Sequence, residues 1–192
     1  MCILCTIVMM GEKHMMFRNL TLDGELKTAI KEVKKWGFMG MRIKNIAVLM
    51  GTLDNEDVML TLMATPETKT LFSAVIIYEG LENWEKQLAK YQTVNASIAA
   101  QYGEPSKIID QWEAPYSINN NPVQAFKENK VTYGAMYTTP EGVVMVNIAY
   151  VKEEVCTIVT YADKQNTILM ETEGGINTNM FDEDSEDAII EE

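Results

Sequence analysis

Hydrophobic residues along this chain alternate between a three-to-four spacing and a two-residue spacing, and the changes of period divide it into helices and strands. From residue 22, Leu22, Leu26, Ala29, Ile30 and Val33 share one helical face, which Thr21 or Asp23 can cap and Gly37 can stop. Lys27, Lys31, Lys34 and Lys35 take the other side, interleaved with Glu25 and Glu32, as on a solvated face. Over residues 46–52, 57–64 and 70–79 short runs rich in Val, Leu, Ile and Met follow, separated by Asp54-Asn55 and by Pro66; these predict three consecutive strands. A second helix is expected over 81–102, where Leu81, Trp84, Leu88, Tyr91, Val94 or Asn95, Ile98 and Tyr102 recur by threes and fours until Gly103 and Pro105 end it. Four strand-like runs then form a meander over 106–113, 130–139, 142–151 and 153–161, and residues 162–171 suit a short closing helix. The second and third of these runs meet at Thr139-Pro140-Glu141-Gly142, where proline presets φ and glycine accepts a positive one.

The order α-βββ-α-ββββ specifies an α+β domain: an antiparallel sheet of about seven strands, with the two main helices packed on one face. Two units of similar layout suggest a duplication, although the residues of the halves do not align by eye. Along 142–151, Val144, Val146, Ile148 and Tyr150 form one side and Val143, Met145, Asn147 and Ala149 the other, so the face turned from the helices should be partly covered. Residues 114–129 make the longest irregular stretch and are a candidate binding loop. Trp112 and Tyr116 beside it are candidate anchors for a partner, because aromatic side chains dominate binding hot spots.

With 192 residues, 47% apolar and 23% charged, the chain needs neither disulfide nor metal to sustain a core, and its fourteen methionines are expected inside as adaptable filler. The net charge of −12 is concentrated at one end, since Asp182, Glu183, Asp184, Glu186, Asp187, Glu191 and Glu192 lie in the last eleven residues. Without those seven, 21 acidic residues face 16 basic ones. Such a surface repels phosphate backbones and anionic bilayers, which excludes nucleic acid as the expected partner. The first ten residues hold a single polar side chain, Thr6, yet are too few for a membrane span of about 20 residues. They read as an export signal that has lost its positive start, or alternatively as an N-terminal strand. The organisation is therefore an apolar leader over 1–13, one α+β domain over 14–172 and an acidic flexible tail over 173–192.

No cofactor or metal is implied. Cys2 and Cys5 form a C-x-x-C pair that His14 and Cys156 could complete as zinc ligands, but the apolar setting raises thiol pKa and opposes metal binding. His14 is the only histidine, so any Ser-His or Cys-His nucleophile would have to use it, at the junction between leader and domain. The run 182–187 lacks the glycine of a calcium loop, and neither a G-x-x-x-x-G-K-[ST] nor a G-x-G-x-x-G pattern occurs. Acids are numerous enough for a carboxylate pair, which spacing cannot single out.

Three segments carry a family likeness: residues 15–24, Met-Met-Phe-Arg-Asn-Leu-Thr-Leu-Asp-Gly, ahead of a helix ending in Trp36-Gly37-Phe38; Tyr102-Gly103-Glu104-Pro105 after the long helix; and residues 161–166, Tyr-Ala-Asp-Lys-Gln-Asn, after the last strand. Together they resemble small exported proteins of unknown function from gut Bacteroidetes, over roughly residues 14–170, with Asn19 and Thr21 where that family usually has glycine and proline. The resemblance implies a helix-plus-meander domain and an exported location, in the periplasm or at the cell surface, and supplies no catalytic residue. By layout alone the chain also looks like beta-lactamase-inhibitor-type domains. The expected function is a non-enzymatic binding or structural domain that contacts a protein or small ligand through its open sheet face or the 114–129 loop. A carboxylate-pair hydrolase and a cytoplasmic scaffold are the alternatives.

Overall fold

In a computed structural model of the chain, the structure describes residues 13–81 and 83–174. The leader up to residue 12, with Cys2 and Cys5, and the acidic tail from residue 175 lie outside the described residues. The fold is α+β, with one eight-stranded antiparallel sheet, a two-stranded ribbon and four helices among the described residues. In chain order these are β1 (Met16–Phe17), β2 (Leu20–Thr21), α1 (Leu26–Lys35), β3 (Met39–Ile43), β4 (Ile46–Leu53), β5 (Glu56–Ala64), β6 (Leu71–Tyr78), α2 (Trp84–Tyr102), β7 (Lys107–Trp112), α3 (Pro122–Lys127), β8 (Val131–Thr138), β9 (Gly142–Val151), β10 (Glu154–Asp163) and α4 (Lys164–Thr172). The large sheet runs β3-β4-β5-β6-β10-β9-β8-β7, so two four-stranded meanders join where β6 meets β10.

Register sorts the side chains. Leu49, Leu60, Ile76, Val159, Val146 and Ala135 are successive cross-strand partners and all are buried. This row is the centre of the core. Above it, Gln87 Nε2 of α2 donates to Thr157 Oγ1 at 2.7 Å, the Tyr91 and Tyr133 rings lie 5.1 Å apart, and Leu26, Ala29 and Val33 of α1 are buried in the same cluster. Gly51 makes room for the Phe38 ring: a Cβ there would lie 2.6 Å from Phe38 Cγ. The opposite row, Met39, Met50, Met59, Ile77 and Ile158, again passes through direct partners but stays open to solvent or half-buried.

Several expectations need correction. A fourth strand, β3, precedes the expected three; its Met-Gly-Met-Arg-Ile sequence has one β-branched residue, and all five positions are exposed. The sheet therefore has eight strands rather than about seven. Helix α1 begins at Leu26 after Glu25, with no side-chain cap, because Thr21 pairs with Met16 in the ribbon. Helix α2 begins at Trp84, where Asn83 Oδ1 accepts from Lys86 N–H at 2.9 Å, and ends as expected at Gly103, whose φ is +83°. Residues 114–129 contain α3 instead of being wholly irregular. The methionines are not chiefly filler: Met15 and Met170 are buried, whereas Met39, Met41, Met50, Met59, Met63, Met136 and Met145 lie on the open face.

Adjacent residues of β4 thus test the sorting. Leu49→Ala should cost about 2–5 kcal/mol, as a buried leucine leaves a cavity, and Met50→Ala less than about 0.5 kcal/mol, both read from urea unfolding midpoints.

Candidate functional site

The two anchors singled out by sequence fall in different surroundings. Trp112, the last residue of β7, is half-buried in an aromatic cluster, with ring centroids 6.4 Å from Trp84, 5.9 Å from Phe126 and 6.2 Å from Tyr133. Its Nε1 donates to Asp110 Oδ1 at 2.6 Å. Tyr116 donates from its hydroxyl to Glu128 Oε2 at 2.6 Å, a bond that raises the phenol's pKa. The Glu128 carboxyl is held below its ordinary range by Gln124 and Tyr116 together. Trp112 ties α2, α3, β7 and β8 together, while Tyr116 fastens the loop to the residue after α3. Trp112→Ala should cost about 2–3 kcal/mol in urea unfolding and Tyr116→Phe under about 1 kcal/mol, since the second loses one exposed hydrogen bond.

His14, the histidine any Ser-His or Cys-His nucleophile would have to use, lies beside a buried carboxylate. Asp163, fully buried, accepts from Met15 N–H at 2.8 Å and Asn166 N–H at 2.9 Å, and its Oδ2 lies 3.1 Å from His14 Nδ1. It therefore caps α4 and ties down the first described segment at once. Burial, with Glu154 second, pushes the Cys156 thiol upward, the direction opposite to that of a reactive thiolate. A general-acid carboxyl needs a raised pKa, and Glu128 is displaced the other way. Among the described residues no group of three or more His, Cys, Asp or Glu side chains could hold a metal ion.

Two of the concavities among the described residues lie on opposite sides of the sheet. A cleft of about 580 Å³ lies between the β1–β2 ribbon, the β4–β5 turn and α2, lined by Arg18, Tyr78, Tyr102 and Tyr161 together with Ser97 and Gln101. Sequence reasoning missed it, because its phenols come from β6, α2 and β10 and converge only in the folded chain. Burial raises the pKa of all three phenols, and for Tyr161 the nearby Tyr102 and Tyr78 add to the effect. The core phenol of Tyr91 is raised in the same way, by burial and then by Tyr133. Folding thus favours the neutral form of these tyrosines. Their contribution to stability is complete below the unfolded value of about 10 and is lost as pH climbs toward their higher folded values. Tyrosinate absorbance from Tyr91 and Tyr161 should accordingly appear together with alkaline unfolding followed by circular dichroism, after the exposed tyrosines have titrated.

The second concavity, about 510 Å³, lies at one end of the open face, with Met39, Met50, Met59, Ile77 and Cys156 in its wall. The face extends beyond it: Met39 is 75% exposed, Met41 65%, Ile43 59% and Met50 56%, all on adjoining positions of β3 and β4. Charged side chains on this side gather at one end, where Asp57, Glu79, Lys152 and Glu154 line the concavity and Lys152 Nζ lies 3.3 Å from Met59 Sδ, with Lys107 on the far edge strand. Its chemistry is that of contact with another apolar surface, with thioethers that adapt to irregular shapes. No helix among the described residues is long and apolar enough to cross a membrane. The chain matches no protein-family model, no curated protein and no solved structure.

Proposed function

We propose that the chain is a non-enzymatic binding domain whose open, methionine-rich sheet face packs against a partner protein bearing an uncharged apolar patch. The observation that carries this reading is the row Met39, Met50, Met59, Ile77 and Ile158, which crosses five strands with no charged residue of its own, although Lys152 reaches Met59 Sδ at one end. Scattered exposed apolar residues are ordinary, but a contiguous patch of this kind marks a contact surface. Exposure is greatest on β3 and β4, at the edge where the row begins, so the contact centres there.

The same reading gathers the remaining expectations. Both main helices lie on the core face, an arrangement supported by the contacts from Gln87 to Thr157 and from Tyr91 to Tyr133, and by the buried stripe of α1. The order β3-β4-β5-β6-β10-β9-β8-β7, each half preceded by a helix, supports descent from a duplicated helix-plus-four-strand unit. Membership among the small exported Bacteroidetes-type proteins, and a place in the periplasm or at the cell surface, belong to this proposal on the strength of the motifs and the apolar leader. Trp112, packed among other rings, serves the scaffold in this account, and Tyr116 orders the neighbouring loop.

A photo-crosslinking amino acid placed in the full-length chain at Met41 or Met50 should yield a crosslink to one defined protein, while the same group at Lys31 on α1 yields none. Met50→Asp should weaken that association by about tenfold, as burying a carboxylate in an apolar contact is costly. Equal crosslinking from Lys31, or indifference to Met50→Asp, would refute the proposal.

A further inference from the structure

We infer that the cleft on the helix side is a separate small-molecule site, fitted to a neutral polyhydroxylated ligand such as a saccharide unit. This does not depend on the open face being a protein contact, since the two surfaces lie on opposite sides of the sheet. The volume of about 580 Å³ falls within the roughly 300–1,000 Å³ of small-ligand pockets.

Arg18 Nη2 is bound to Asp54 Oδ1 at 2.8 Å, and the other acid of the cleft, Glu56, is paired with Lys90. Its cation and its acids are thus already answered by one another or by the neighbouring lysine, which removes the basis for selecting an anion or a cation. The neutral groups are in the opposite condition. Among the described residues, the hydroxyls of Tyr78, Tyr102 and Tyr161 meet no hydrogen-bond partner, and neither do the side chains of Ser97 and Gln101.

Ser97 and Gln101 stand four residues apart on α2, so both project from one side of the helix toward the same space. Tyr78 and Tyr161 come from strands on the facing wall and Tyr102 from the end of α2 itself, and all three phenols stay protonated to high pH, so they can act as donors as well as acceptors. An aliphatic ligand would desolvate these groups without replacing their water, at a penalty for each. A ligand with hydroxyls on several edges and C–H groups on its faces satisfies them, and rests its apolar side on aromatic carbon. Sugars have that form.

The test uses the full chain and five neutral saccharides (glucose, galactose, mannose, N-acetylglucosamine and maltose), with glucosamine and glucose 6-phosphate as charged counterparts. Binding is read by saturation-transfer difference NMR and by perturbation of tyrosine absorbance. At least one neutral sugar should bind saturably, more tightly than either charged analogue. Tyr102→Phe, which deletes a single oxygen, and Ser97→Ala, on the exposed side of α2, should each weaken it by about five- to tenfold. The proposal is overturned if none of the five sugars binds, if a charged analogue binds best, or if both variants bind as the parent does. Loss of sugar binding in Tyr102→Phe with crosslinking from Met50 intact would leave the two surfaces independent, as inferred.

Discussion

The antiparallel pairing of β6 with β10 is the contact on which the rest depends. Residues 73–77 lie opposite residues 158–162, and between them in sequence fall α2 and three whole strands. Without that pairing there would be two four-stranded meanders, each with a face too narrow for a full core. With it, the row from Leu49 to Ala135 runs buried and unbroken across both halves. Because side chains alternate strictly in a strand, a slip of one residue at this join would turn Val159 outward and bring Thr160 inward while Ile76 stays in the core. Register at one strand pair thereby sets what every neighbouring strand shows to solvent.

That sorting produces two surfaces of opposed chemistry. On the open side the row of thioethers and aliphatic groups has no directional preference and little charge, and it can match a partner mainly in shape. On the helix side the ribbon, α2 and the β4–β5 turn bring phenols, a hydroxyl and an amide around a cleft whose charges are already paired. The two concavities share Tyr78 in their linings and otherwise draw on different residues. Asp163 ties α4 to the start of the described chain, because the carboxylate that caps α4 also holds the segment leading into the ribbon. Its burial is tolerated because backbone donors satisfy both oxygens.

Much of the fold was legible in local patterns. The second hairpin followed from Thr139-Pro140-Glu141-Gly142, and β9 occupies Gly142–Val151, the bounds its alternation indicates. The end of α2 followed from Gly103 and Pro105, because a left-handed cap and a residue that cannot continue the helix are both local requirements. β3 escaped notice for a physical reason. An exposed edge strand needs no alternation of apolar and polar residues, and Met39 and Met41 lack the branched side chains that mark a strand. Gly40 shows its purpose only in space, where a Cβ would run into the Val48 carbonyl. Trp112 and Tyr116 stood out by residue type, but nothing in the spacing separates a ring packed among Trp84, Phe126 and Tyr133 from one offered to a partner.

What the sequence determined by itself was the set of elements: helices where apolar residues recur by threes and fours, strands where they recur by twos, and the breaks where proline, glycine and asparagine interrupt both. Those choices rest on interactions within a few residues, which short windows of sequence contain. Only the tertiary structure decided which meander edge meets which, and therefore that seven methionines share the open face and that Tyr78, Tyr102 and Tyr161 share one cleft. Both groupings join residues dozens of positions apart through strand order and register, and these are fixed by the burial of the whole apolar row, a property no local segment possesses.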